Sequence, residues 1–349
     1  MNHIIEAPVR QTVQVRLPDG RAFDGPLGTT VEAFLLTAMP EAMTRDHIVG
    51  VLCDGHLREL AQPLNSDAHL VPLTTRDPDG ARIYRRSLSF LMIAAAAEVF
   101  PGQVITVQHS MPFGGYYCER DDNTRVTLAE LDHLRRRMRE LVAADLPIAR
   151  VVLPLNEALQ IFRASGDMEK ADLFAKRRKD YLTLYELNGV RDYFHGFMVP
   201  RTSYLDLFEL RPYNDGFILQ FPRRHNPAIL QPFEDEPRLA RVFQDYADWL
   251  SIVGVPSVSS LNNALRNGRT QEVILVAEAF HQRQLSAIAA AIAERRPAVK
   301  LVMISGRPLR AKLPSANGWP CSFWLRASIL SPLAWTTTLS IEKTPPATP

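Results

Sequence analysis

Apolar and polar residues alternate over 12–17 (Thr-Val-Gln-Val-Arg-Leu), which predicts a strand, and Pro18-Asp19-Gly20 behind it predicts a turn. A second short strand leads through Gly25 and Gly28 to Thr29 and Thr30, residues able to cap a helix over 31–37. Strands follow at 48–52 and 68–73, the first closed by a Cys-Asp-Gly turn at 53–55. From Arg85 the pattern changes to a leucine- and alanine-rich helix that runs to Phe100 and stops at Pro101-Gly102. A strand over 103–108, a helix over 127–144 and two aromatic strands over 202–213 and 216–222, parted by Asn214-Asp215, come next. Proline-rich 226–237 reads as a linker. Beyond it, Leu239, Val242, Phe243, Tyr246 and Leu250 recur at helical spacing over 238–253. Ser257 to Ser260 begin a second helix that Gly268 ends, and a third spans 271–296. The run Ala298-Val-Lys-Leu-Val-Met-Ile-Ser-Gly306 then reads as a buried strand delivering a glycine turn. Pro308, Pro314 and Pro320 forbid the helix that usually follows such a turn.

Composition narrows this picture only a little. A chain of 349 residues with 46% hydrophobic content has room for two or three globular domains. The net charge of +2 argues against a polybasic nucleic-acid binder as a whole. Two local clusters, Arg135-Arg-Arg137 with Arg139 and Lys176-Arg-Arg-Lys179, lie on expected helical stretches; each is either a phosphate-contacting face or a solvated one. The 3 cysteines, Cys53, Cys118 and Cys321, have no C-x-x-C spacing and suit a reducing, cytoplasmic setting. The longest apolar run, 90–97, is too short to span a bilayer, so no membrane partner is expected. The oligomeric state is not legible.

The strand-turn-strand, helix, strand, strand order over 11–75 is that of a small β-grasp. On the stretches LPDGRAFDGPLGTTVEAF and VGVLCDGHLREL it resembles a TGS domain, the ubiquitin-like module at the front of threonyl-tRNA synthetases and some GTPases. Residues 76–222, through Gly115-Tyr-Tyr-Cys-Glu119 and Phe194-His-Gly-Phe-Met-Val-Pro200, resemble the editing-type domain of threonyl- and alanyl-tRNA synthetases. That resemblance implies an H-x-x-x-H pair on the first helix and a C-x-x-x-H pair after a later turn, groups that bind metal or activate water. Counting back from the Phe-Pro and Val-Pro pairs, those positions hold Arg86, Phe90, Phe194 and Met198. None of the four can ligate a metal in that way, so neither hydrolytic editing nor a bound metal is expected. His109, Tyr116, Tyr117 and His195 are the nearby candidates for a pocket, the histidines being ordinary hydrogen-bonded ones or substitutes for the lost ligands.

With a helical connector over 223–297 (SIVGVPSVSSLNNALRNG its most specific part) and the strand over 298–306, the order resembles bacterial nucleoside kinases of the uridine kinase and phosphoribulokinase superfamily that carry a synthetase-like front half. The expected class is therefore α+β: a TGS-like β-grasp, an editing-like unit, a helical connector and the first strand of a P-loop α/β kinase domain. Membership implies ATP and Mg2+ as cofactors and phosphoryl transfer to a nucleoside 5′-hydroxyl. Ser305 and Gly306 would be the remnant of the phosphate loop, with no catalytic residue retained. Read one base out of register, the codons near 307–314 are able to encode Ser-Ser-Ser-Gly-Lys-Thr-Thr, and those for 333–340 an Asp-rich strand end. Residues 307–349 are then expected to be an out-of-frame tail, or else an ordinary disordered one, and the chain an inactive, truncated nucleoside kinase that takes no cofactor itself. The alternative is a noncatalytic RNA- or nucleotide-binding module built from the two synthetase-like parts.

Overall fold

The computed structural model describes residues 10–45, 47–122, 124–235, 237–295 and 298. The expected strand over 298–306, apart from Ala298, lies outside the described residues, as do Ser305, Gly306, Cys321 and the tail over 307–349. The described chain is mixed α+β with three sheets, and it falls into two compact units, one through Asp248 and one from Trp249. No described helix is long and apolar enough to cross a membrane.

The first unit opens with β1 (Thr12–Arg16), β2 (Ala22–Pro26), α1 (Val31–Ala38), α2 (Pro40–Arg45), β3 (Ile48–Cys53), β4 (His56–Arg58) and β5 (Ala68–Thr74). These strands form a 5-stranded sheet of order β2-β1-β5-β3-β4, in which the central pair, β1 and β5, is parallel. Alternation places Val13, Val15 and Leu70 under α1, where they meet Val31, Phe34 and Leu35 in one apolar core. Thr30 caps α1 by accepting from the Ala33 N–H.

α3 (Pro78–Val99) starts earlier than the leucine-rich pattern indicates. Its first turn is polar, so no apolar stripe marks it, yet Pro78 at the first helical position and Asp77 before it are start signals. The Asp77 carboxylate accepts from the Thr74 N–H at 2.8 Å and from its hydroxyl at 2.9 Å, tying the helix start to the end of β5. Gly80 is required there, because a Cβ would lie 1.9 Å from the Thr74 carbonyl oxygen.

Around α3 run β6 (Ile105–Met111), β7 (Gly115–Arg120), α4 (Leu128–Ala143), β8 (Ala149–Pro154), α5 (Leu155–Ala164), α6 (Met168–Ala175), β9 (Tyr181–Leu187), β10 (Val190–Asp192), a 3-10 turn at Thr202–Tyr204, β11 (Glu209–Tyr213) and β12 (Gly216–Gln220). They make a 4-stranded sheet, β11-β12-β7-β6, and a 3-stranded sheet, β10-β9-β8. α3 is sandwiched between them with Leu88, Phe90, Leu91 and Met92 fully buried beside Phe217, Leu219 and Tyr185. The strand expected over 103–108 begins and ends later, and carries a bulge between Val107 and His109. The basic run at 176–179 is not helical: α6 ends at Ala175 and the chain bends there toward β9.

α7 (Pro237–Val253) crosses the boundary between the units. The second unit adds α8 (Val258–Arg266) and α9 (Thr270–Glu294), which close over Val253, Val255 and Ala264. Ser257 caps α8 reciprocally with Ser260, and Trp249 stacks on Phe280 at 4.8 Å. The expected apolar faces of the connector helices are incompletely covered, for Val242, Tyr246, Ile274, Leu275 and Ile288 remain exposed.

Candidate functional site

The four positions named by the editing-type resemblance meet at one place. Arg86 and Phe90 lie one turn apart on α3 and face the loop over 193–200, which carries Phe194 and Met198. Phe90 is fully buried with its ring centroid 5.2 Å from that of Phe194, and Met198 is buried in the same core. Between them Ser87 fixes the loop: its hydroxyl donates to the Ile83 carbonyl at 2.8 Å and accepts the Val199 N–H at 2.9 Å.

Arg86 fills what room is left. Its Nη1 donates to the Phe197 carbonyl, and its guanidinium lies flat against Gly196. A Cβ at 196 would come within 2.7–2.9 Å of three guanidinium atoms, and the residue has φ +105, so glycine alone lets the loop approach. Burial pulls the Arg86 guanidinium below its ordinary pKa, partly offset by Tyr185 and Tyr116. On the far side the Tyr185 hydroxyl donates to Glu59 Oε2 at 2.8 Å, with the Gly196 carbonyl 3.2 Å away. Burial raises the Glu59 carboxyl, against the lowering effects of Tyr185 and Arg150.

The other candidates are not brought together. Tyr116 and Tyr117 are neighbours on β7 and point to opposite sheet faces. Tyr116 packs edge-on against Phe221 at 4.8 Å on the α3 side. Tyr117 joins Met111, Phe113 and Ile218 on the outer face. His109 is there too, stacked on Phe243 at 4.3 Å, with Nε2 buried and unpartnered. His195 is exposed on the loop.

Sequence reasoning missed the buried Asp192 and the half-buried Lys170 and Asp167 that brace this region. Lys170 Nζ binds both oxygens of Asp192, at 2.8 and 3.0 Å, and Asp167 at 2.9 Å, holding the chain just before Phe194. No spacing in the sequence joins these residues, which lie on different elements. Three arginines of the basic cluster on α4 are engaged internally, while Arg136 is exposed. Arg135 pairs with Asp132 and Glu209, Arg137 with Glu98 and Glu140, and Arg139 stacks over Phe208 at 4.0 Å.

Chemically, Arg86, Phe90, Phe194 and Met198 supply no nucleophile or general base of the histidine and cysteine kind that the resemblance implies. Cys118 is fully buried with its thiol pushed up by burial. The residues at 86, 90, 194 and 198 do not fit a metal, and among the described residues no group of three or more His, Cys, Asp or Glu could hold one.

No family model matches the chain. Its sequence is similar to threonine–tRNA ligases. That of Geobacter sp. (strain M21) is 31% identical over 198 residues, 57% of this chain and 31% of the ligase. That of Halorhodospira halophila is 32% identical over 199 residues, 56% of this chain and 30% of the ligase. That of Burkholderia lata is 32% identical over 201 residues, 57% and 31%. The chain thus spans under a third of the length of the curated relatives it matches. These relatives are ligases, and none of them is a kinase. The likeness to threonyl-tRNA synthetases stands; the nucleoside-kinase reading, with its uridine-type substrate and phosphoryl transfer, is corrected by it.

Proposed function

We propose that the chain is a noncatalytic RNA-binding module assembled from two synthetase-like parts, a TGS-type β-grasp over 11–75 and an editing-type unit over 76–222, followed by a helical connector over 223–297. Similarity to ligases that act on tRNA supports tRNA as the RNA in question. The sheet order with a parallel central pair under α1 supports the β-grasp assignment. The observation that carries the noncatalytic part is the closure of the α3 cleft. An arginine lies against Gly196 and two phenylalanines and a methionine stand where water-activating groups would be needed.

The test uses the full chain and tRNA. Binding is expected to weaken steeply with salt, and aminoacyl-tRNA is expected to deacylate at its spontaneous rate with the protein present. Hydrolysis above that background would overturn the noncatalytic assignment, and absence of tRNA binding at low salt would overturn the RNA assignment.

A further inference from the structure

The 3-stranded sheet has one face covered and one only half covered. Leu182 and Leu184 of β9 point toward α5 and α6, where they pack with Ala158, Phe162 and Phe174. On the opposite face Tyr185 and Leu187 are buried against the α3 core, but the other end of the same face is open. There the register sets Arg150 opposite Tyr185, Val152 opposite Thr183, and Pro154 opposite Tyr181. Val152 is 58% exposed and Tyr181 41% exposed, and Arg150 and Pro154 are exposed beside them. Lys179, in the bend before β9, holds its ammonium 5.5 Å from the Tyr181 ring centre.

An exposed aromatic ring and an aliphatic side chain on an open sheet face, flanked by two cations, have the makings of a stacking platform for bases with phosphate contacts at its rim. We propose that this face of β8 and β9 binds single-stranded RNA, one base stacking on Tyr181 and Val152 packing beside it, with Arg150 and Lys179 on flanking phosphates. This rests on the RNA-binding reading above and gives it a surface.

Charge favours this occupant. Glu59 is the carboxylate that Arg150 influences, and it is buried and bonded to Tyr185. Asp180 lies in the bend before β9, outside the strand, where its carbonyl accepts the Leu155 N–H at 2.7 Å. The platform differs from Arg135 and Arg137 of α4, whose charge is already paired. At about 3.3 Å per residue, the stretch from Arg150 to Pro154 is long enough for about two nucleotides.

The experiment is fluorescence anisotropy of the full chain with a labelled oligouridylate, repeated over a salt series, with tRNA titrated in parallel. Tyr181→Ala is expected to weaken oligouridylate binding at least about fivefold. Arg150→Ser and Lys179→Ser are each expected to make the salt slope shallower by about 0.7. Arg136→Ser, exposed on α4, is the control and should change neither. Photocrosslinking should place the uridine adduct on the 179–183 peptide. If the oligouridylate binds but Tyr181→Ala leaves its affinity unchanged, the surface is wrong while the module reading stands. If tRNA binds and the oligouridylate does not, or duplex RNA competes equally, the single-strand platform is overturned alone. If neither RNA binds, both fall together.

Discussion

Arg86 gives its charge to a backbone carbonyl and its flat side to Gly196, so the two residues are fitted to each other. Gly196→Ala forces a Cβ into the guanidinium at a backbone angle that L residues rarely adopt, and should cost about 2 kcal/mol. Combined with Arg86→Ala, the part of the cost due to collision should vanish while the backbone strain remains. A double-mutant cycle by urea unfolding is therefore expected to give a coupling of at least about 0.5 kcal/mol, and strict additivity would mean the two do not touch. His109 supplies a pH signature. Burial lowers its pKa below the ordinary 6.5, and Nε2 has no partner to compensate. Below about pH 6.5 the unfolded chain then binds the proton more readily, so this group makes stability fall as pH drops. Glu59, raised by burial, acts with the opposite sign at lower pH, so the comparison must be with a variant. Thermal midpoints should fall less between pH 7.5 and 5.5 in His109→Phe, which keeps the stack on Phe243, than in the parent.

α4 shows how an element is specified locally. Thr127 accepts the Glu130 N–H while the Glu130 carboxylate accepts the Thr127 N–H at 2.9 Å and its hydroxyl at 2.7 Å. Arg120, itself buried, donates to the same carboxylate at 2.6 Å. The Thr127 bonds, then Arg120, pull the Glu130 carboxyl down to about 2. Its contribution is present above the ordinary 4.5 and is lost as pH falls from there toward 2. Thr127→Ala should cost about 1 kcal/mol and flatten the acid limb between those values, read by circular dichroism at each pH. This helix was legible because its caps and stripe lie within one stretch of sequence. Between 145 and 193 only the basic run at 176–179 is assigned to an element from the sequence, although Tyr181–Leu187 does alternate. Its partner β8 is an edge strand exposed on one face, and α5 and α6 are short, so neither gives a sustained period. The basic run at 176–179 was placed on a helix for want of a stop signal, since no glycine or proline marks the end of α6. Bonds such as Tyr185 to Glu59 join residues far apart in the chain, and no spacing reveals them.

At the scale of the molecule, the sheet of β1 to β5 is tied to the α3 region by tyrosine–glutamate bonds: Tyr185 to Glu59, and Tyr204 to Glu32 at 2.6 Å. Those ties leave α3 and the loop over 193–200 facing each other, which permits a direct test of the editing-type assignment. Replacing Arg86→His, Phe90→His, Phe194→Cys and Met198→His together would set two imidazoles one turn apart on α3 against a thiol and an imidazole on the loop. Four such groups suit tetrahedral Zn2+. Without metal the variant should be several kcal/mol less stable than the parent, because polar rings replace a buried phenylalanine and methionine. With Zn2+ much of that loss should return, since metal binding free energy is folding free energy when the site exists only in the folded chain. The measurement is the urea midpoint with and without Zn2+, together with zinc content after gel filtration. Stoichiometric zinc with a restored midpoint would place these four positions where the editing-type fold requires them. A variant that folds but gains nothing from Zn2+ would mean that the cleft closed by Arg86 is a different one, and the assignment of 76–222 would have to be given up.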